Sequence, residues 1–187
     1  MVVRNGNYAA FYVAEPFSSS ALGPHATPDF IYFNQLRMWK GADASFPFVD
    51  SHGKTYSVRD NSDWENTLKP RLRERLRASK NMVLFLSKST KASRALIEEV
   101  DYGINNEGLP VIVVYPDFDS KAALWDGNKF AAGVKPLWRK LPIFNSSMGM
   151  VPTIHVPLLK SAISLALKNK DFMLHTKTEA MAYCYKP

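Results

Sequence analysis

The chemistry of this sequence concentrates on a helix that follows a buried strand. The unit 81–108 joins the apolar run Met82-Val83-Leu84-Phe85-Leu86 to a helical stretch carrying Glu98, Glu99 and Asp101. On a wheel at about 100° per residue, with Val100 at the centre of the buried arc, each acid takes a different place. Ser93, Leu96, Ile97, Gly103 and Ile104 gather around Val100, Glu98 points to solvent, and Glu99 and Asp101 fall on opposite borders. The Glu99 border is lined by Ala92, Ala95 and Gly103, whose small side chains leave room for a ligand, whereas Ile97 and Arg94 crowd the Asp101 border. Geometry therefore favours Glu99 for a pocket role. The plainer alternative is an acidic helix face with no further role.

An open parallel sheet binds its ligand outside the carboxyl ends of its strands. The residues placed there are Ala14-Glu15, Asp50-Ser51-His52, Ser87-Lys88 and Pro116-Asp117. This set is more ionisable than turn formation demands, although Ser and Asp are favoured at such positions as turn formers and caps. Other chemistries lack their residues. There is no phosphate loop of the Walker type, no G-x-G-x-x-G after the first strand and no G-x-S-x-G elbow. His25, His52, His155 and His175 are scattered without the pairing a metal needs, so no metal site is expected. A phosphoacceptor receiver domain would place an aspartate where Ser87 stands.

Five apolar runs position these residues: 8–13, 46–49, 82–86, 111–115 and, more weakly, 153–156. They alternate with segments of helical period, the pattern of an α/β domain whose central parallel sheet is covered on both faces. Near-continuous Val, Leu, Ile and Phe marks strands buried on both sides, with 82–86 and 111–115 the central pair. A first helix, capped by Asp29 or Thr27, presents Phe30, Phe33, Leu36 and Trp39 and ends near Lys40-Gly41. Ser62-Asp63-Trp64-Glu65 has the form of a capping box, and Trp64, Leu68, Leu72 and Leu76 form one ridge. Pro70 either bends that helix or opens a second one. The third helix, 91–106, closes at Glu107-Gly108-Leu109-Pro110, and the last, 158–168, buries Leu159, Ile163, Ala166 and Leu167. The stretch 117–150 shows no clean period and is expected to be loops with a short helix around 131–139.

With 187 residues, one domain over 1–170 and a docked tail over 171–187 are expected. The 46% hydrophobic and 22% charged fractions are those of ordinary globular proteins. With no apolar run near 20 residues and no apolar signal core at the start, a cytoplasmic protein is expected. Cys184 is the only cysteine, which excludes an internal disulfide and a thiolate zinc cluster. The net charge of +7 concentrates between Lys69 and Lys80, where Arg71, Arg73, Arg75 and Arg77 occupy alternate positions. On a helix that spacing scatters them over the polar arc, which suits a solvated face better than a stripe tracking phosphates.

The segment Leu86-Ser87-Lys88-Ser89-Thr90-Lys91-Ala92-Ser93-Arg94-Ala95-Leu96-Ile97-Glu98-Glu99-Val100 resembles the signature of the Toll/interleukin-receptor (TIR) family at Ser87, Ser93, Glu99 and Val100. Residues 46–52, Arg59-Asp60-Asn61-Ser62, Leu68-Lys69, Leu72-Arg73-Glu74-Arg75-Leu76 and Ser79-Lys80 are similar to the TIR-like subfamily that includes the ThsB proteins of the bacterial Thoeris antiphage system. The resemblance spans roughly Tyr8 to Tyr115. It departs where Ala95 replaces a common aromatic and where Phe11-Tyr12-Val13-Ala14 lacks the usual serine. It implies a flavodoxin-like, three-layer fold with a central five-stranded parallel sheet. It also implies NAD as substrate with no further cofactor, Glu99 as the catalytic residue, and substrate contacts at Tyr12, Ala14, Glu15, Asp50 and Ser87. The product would be a cyclic or open ADP-ribose-type messenger for a separate effector, made after a phage-derived trigger, with self-association possible. A non-enzymatic, self-assembling adaptor and a basic nucleic-acid-binding domain are the rival expectations.

Overall fold

The computed structural model describes residues 4–13, 28–52 and 63–185. In chain order, β1 (Gly6–Ala10) precedes α1 (Pro28–Ala42). A π-helical turn over Trp64–Leu68 then leads into α2 (Lys69–Arg77) and β2 (Ser79–Phe85). Next, α3 (Arg94–Asp101) continues as a π-helical turn over Tyr102–Asn106 before β3 (Val111–Tyr115). A group of short elements follows: α4 (Lys121–Leu124), the ribbon β4 (Trp125–Asp126) with β5 (Lys129–Phe130), α5 (Lys135–Lys140) and α6 (Pro142–Ser147). β6 (Thr153–Pro157), α7 (Lys160–Lys168) and β7 (Ala182–Cys184) end the described chain.

The main sheet has five strands in the order β1-β2-β3-β6-β7, every neighbouring pair parallel. One cross-sheet row runs Tyr8, Met82, Val111, Thr153, Ala182. Because side chains alternate along a strand, that row and the one through Ala10, Leu84 and Val113 face α2 and α3. The row between them, through Ala9, Val83, Ile112 and Ile154, joins the core formed with α1 and α7. The three-layer α/β architecture is thus the expected one.

Two of its strands differ from expectation. Residues 46–49 do not form a strand: Phe46 and Phe48 are buried, but pairing with β1 is limited to the isolated parallel bridge Asn7–Asp50. Pro47 explains this, since it has no N–H to give to a ladder. The fifth strand comes instead from the tail, where Ala182–Cys184 pairs with β6. The residues 49–51 still lie along β1 on the side away from β2, with the Asn7 N–H donating to the Val49 carbonyl and the Ser51 N–H to that of Asn7. Chain order therefore reverses at β1 and β2, which places the ligand crevice of such a sheet beyond the ends of these two strands.

Several helix boundaries shift for local reasons. Asp63 is the N-cap, accepting from the Asn66 N–H, Ser62 lies outside the described residues, and Glu65 pairs with Arg94 and Lys69. Pro70 opens α2 near its first position, so the ridge Leu68, Leu72, Leu76 stays buried without a kink inside the helix. Thr27 lies outside the described residues. Gly108 adopts φ of 62°, the left-handed conformation that ends the third helix. On α7 the buried face is Ala162, Ile163, Ala166 and Leu167, while Leu159 precedes the helix and is 37% exposed.

The stretch 117–150 is more ordered than its lack of period suggests. It contributes Leu124, Val134, Leu137, Trp138, Leu141 and Phe144 to the core on the α3 side. It is fastened by a directed hydrogen-bond chain. Trp138 Nε1 can only donate, and it donates to the Tyr115 hydroxyl at 2.7 Å. The Tyr115 hydroxyl therefore donates to His155 Nδ1, also at 2.7 Å, leaving the proton on His155 Nε2, which reaches Thr153 Oγ1 at 3.0 Å. Burial lowers the His155 pKa to about 3, so the ring is neutral and structural.

Candidate active site

The site begins with strand periodicity. Tyr8 on β1 points to the same side of the sheet as Ala10 and packs against the core under α3. Its ring is 1% exposed, and its hydroxyl donates to Glu99 Oε1 at 2.9 Å. Burial raises the Tyr8 pKa well above the ordinary phenol value, and the neighbouring Glu99 raises it further, so the phenol stays a donor.

The opposite wall is α3, whose N-cap Ser93 accepts from the Leu96 N–H and whose Leu96 and Val100 are buried. Of its three acids, two are satisfied elsewhere. Glu98 does not point into open solvent as expected: it accepts from Arg73 Nε at 2.7 Å and lies 3.8 Å from Lys69 Nζ, so it faces α2. Asp101 accepts from Asn105 within its own turn at 2.8 Å. Among the described residues, Glu99 accepts its hydrogen bond from Tyr8. Its second oxygen, Oε2, is buried with no hydrogen-bond partner among the described residues. Burial pushes the Glu99 carboxyl up to about 8, against the downward pull of the Tyr8 hydroxyl and the Arg75 charge.

Behind Tyr8 stands His52, their ring centroids 4.7 Å apart, and His52 in turn meets Phe33 edge-on at 5.5 Å. Asp50 holds His52 twice: Oδ1 accepts from the His52 backbone N–H at 2.8 Å and lies 3.2 Å from Nδ1. Burial works to raise the Asp50 pKa, but the His52 contacts and the Arg37 charge together bring it below the ordinary value. Asp50 and Glu99, expected at the site from separate segments, are thus joined through His52 and Tyr8.

Ser87 lies in a second cluster. It is 1% exposed, and its hydroxyl donates to Asp29 Oδ1 at 2.7 Å. Ser89 reaches the same oxygen at 3.3 Å, Thr90 Oγ1 donates to Oδ2 at 2.9 Å, and the Tyr12 backbone N–H adds a fourth donor. Asp29 lies inside the first turn of α1, not at its cap, and ties the end of β1, the start of α1 and the turn before α3. Tyr12 itself is half-buried beside the α3-side core. Ala14 and Glu15 lie outside the described residues.

Sequence reasoning misses Tyr8, His52 as its support, and Asp29. The signal for Tyr8 is its even spacing from Tyr12 on one face of the strand, whereas the Asp29 partners are 58 to 61 residues away and leave no local trace. The small-residue border also needs correction. A side chain on Gly103 would overlap Met82 Cε and press on Leu76, so that glycine serves helix-to-strand contact and not a ligand. The basic helix is likewise engaged: Arg73 and Arg77 stack on Tyr102, with centroid distances of 4.6 and 5.3 Å, while pairing with Glu98 and Glu107. Cations occupied by acids of the same domain are poor phosphate trackers. Among the described residues no three His, Cys, Asp or Glu side chains gather as a metal site, and no helix is long and apolar enough to cross a membrane.

A five-stranded, all-parallel sheet flanked by helices on both faces is consistent with a flavodoxin-like, TIR-like fold. The match with known families is to the Thoeris protein ThsB, TIR-like domain, over residues 8–121. The chain belongs to this family, which implies a place in Thoeris defence beside partner proteins. The matched residues run from β1 to the first residue of α4; the short helices, β6, α7 and β7 lie beyond them.

Proposed function

We propose that the protein cleaves the glycosidic bond between ribose and nicotinamide in NAD, with Glu99 as the carboxylate that meets the reacting ribosyl group. The observation that carries this reading is Glu99 Oε2, buried and without a partner among the described residues while Oε1 is held by Tyr8. A buried polar oxygen left unpaired costs about 1–3 kcal/mol, so it suits a place where a ligand completes the structure.

The chemistry suits a single carboxylate. When the C1′–N bond breaks, its electron pair goes to the pyridinium nitrogen, and nicotinamide, cationic in NAD, leaves neutral. No acid need protonate it. The ribosyl centre becomes oxocarbenium-like, and an adjacent carboxylate stabilises that charge and can accept from the ribose hydroxyls. In the empty site, with a carboxyl pKa of about 8, Glu99 keeps its proton at neutral pH, and Oε1 is already accepting, so the proton belongs on Oε2. An arriving cation favours the ionised form and releases that proton. Tyr12, Ala14 and Glu15 are the proposed direct contacts; Asp50 and Ser87 support the site from behind, one through His52 and the other through the turn before α3. Capture of the ribosyl centre by water gives ADP-ribose, and capture by a nucleophile of the same molecule gives a cyclic product, either of which could signal to a separate effector.

Purified wild type and Glu99→Gln, each with and without extract from phage-infected cells, are incubated with NAD and free nicotinamide is followed. Release by wild type and a loss of at least about 100-fold in the variant are expected. Equal release from both would overturn Glu99 as the reacting carboxylate, and no release from either under both conditions would favour an adaptor.

A further inference from the structure

A glutamate side chain has three rotatable bonds, and a carboxylate poised for reaction must present one oxygen along one direction. At Glu99 the contact among the described residues that performs this restriction is the Tyr8 hydroxyl on Oε1. Tyr8 is suited to it, because its backbone is fixed in the parallel ladder opposite Met82 and its ring is buried. The ring is also backed by His52, which Asp50 grips through both its backbone and its imidazole.

We infer that Tyr8 is the positioning residue of the site, pinning Glu99 Oε1 so that Oε2 is the oxygen offered to the ribosyl carbon, and that the His52–Asp50 pair sets the Tyr8 ring. This deepens, and rests on, the reading of Glu99 as the reacting carboxylate. The inference has a consequence for ionisation that packing alone would not produce. Among the described residues, the titratable and charged groups facing Glu99 are Tyr8 from β1 and Arg75 from α2, and both pull its pKa down against burial. Removing the hydroxyl while keeping the ring takes away one of these two and leaves the other. His52 and Asp50 face Tyr8, not Glu99, and act through the ring's placement.

Tyr8→Phe retains the ring contact with His52 and deletes only the donor. Two readouts decide the question. With NAD, kcat should fall about 10- to 100-fold with KM within about threefold, as for a misplaced reacting group, and the acid limb of the kcat profile should move to higher pH. Without NAD, the Glu99 carboxyl, followed by carbon NMR in glutamate-labelled protein, should titrate at higher pH in Tyr8→Phe than in wild type. His52→Gln should move the same midpoint in the same direction by less. The NAD-free arm separates two failures. A Glu99 midpoint raised by Tyr8→Phe in a protein that never releases nicotinamide sinks the proposed function and leaves the positioning contact standing. Glu99-dependent nicotinamide release together with an unshifted midpoint and an unshifted acid limb in folded Tyr8→Phe overturns Tyr8. If Tyr8→Phe does not fold, an unchanged midpoint and kcat in His52→Gln overturns the inference in the same way.

Discussion

Asp29 and Glu99 are both carboxylates drawn out of water, one on the α1 side of the sheet and one on the α3 side, and the domain treats them in opposite ways. Asp29 is met by the hydroxyls of Ser87, Ser89 and Thr90 and by the Tyr12 N–H, so both its oxygens are occupied. Glu99 is met by one hydroxyl, and Oε2 is bare among the described residues. In both, burial raises the pKa and hydrogen bonds lower it. The difference lies in the number of donors. A complete donor set converts a buried acid into a clamp between segments, here the end of β1, α1 and the turn before α3. An incomplete set leaves an acid that only a ligand can satisfy. The same chemical group thus serves the fold in one place and, under the function proposed, is reserved for chemistry in the other.

The comparison breaks most directly at Asp29. Asp29→Ala removes the common acceptor of three hydroxyls and an N–H, some of which can re-pair among themselves, as Ser87 and Ser89 already lie 2.9 Å apart. The expected loss is about 3 kcal/mol, seen by calorimetry as a melting temperature lowered by roughly 6–12 °C. A loss below about 1 kcal/mol would mean that the cluster is decoration and the contrast with Glu99 is empty.

Glu99→Gln should act in the opposite direction and with an unusual pH dependence. The folded-state pKa, about 8, lies above the ordinary 4.5. The stability Glu99 contributes is therefore intact below about pH 4.5 and is lost as pH rises towards 8, because the unfolded chain ionises freely there. Glutamine does not titrate. Relative to its own difference from wild type at pH 4, the variant should gain about 4 kcal/mol by pH 8, or about 8–16 °C in melting temperature. A constant difference from pH 4 to pH 8 would show that Glu99 is as well solvated or as well partnered as an ordinary carboxylate.

The sequence reads well where a period is long enough to repeat. The strands at 82–86 and 111–115 stand out as unbroken apolar runs, and the wheel separates Glu99 from Glu98 because α3 completes two turns. What the wheel lacks is the neighbour: Glu98 looks solvent-facing until α2 brings Arg73 against it. Elements of four to six residues, such as α4, α5 and α6, complete too few turns to show a period, so 117–150 reads as loop although it carries core residues. Phe46-Pro47-Phe48 reads as a strand because hydrophobicity outweighs one missing N–H in a pattern count, whereas a ladder cannot overlook it. The three-residue β7 is legible only as a docked tail, since Thr153 and Ile154 supply the partners that make Ala182 and Tyr183 a strand. The candidate site divides in the same way. Glu99 follows from local geometry, but Tyr8 and the Asp29 cluster depend on contacts 91 and about 60 residues apart, which no window contains.

The finest test concerns Ser87, which a strand-end argument offers as a substrate contact. A hydroxyl has one proton to donate, and that of Ser87 goes to Asp29 Oδ1 at 2.7 Å while its oxygen accepts from the Ser89 N–H at 3.1 Å. Ser89 donates to the same carboxylate oxygen at 3.3 Å and is only partly buried. Geometry therefore ranks the two serines. Ser87→Ala should cost about 1 kcal/mol and Ser89→Ala a few tenths, measured as separate melts against wild type. If the Asp29 cluster is a clamp, each variant should change nicotinamide release by no more than about threefold, because the hydroxyls hold the turn before α3 without touching what Glu99 touches. A loss of release from Ser87→Ala far beyond its small loss of stability would place that hydroxyl on the substrate. The line between the clamped acid and the reserved one would then have to be redrawn through Ser87.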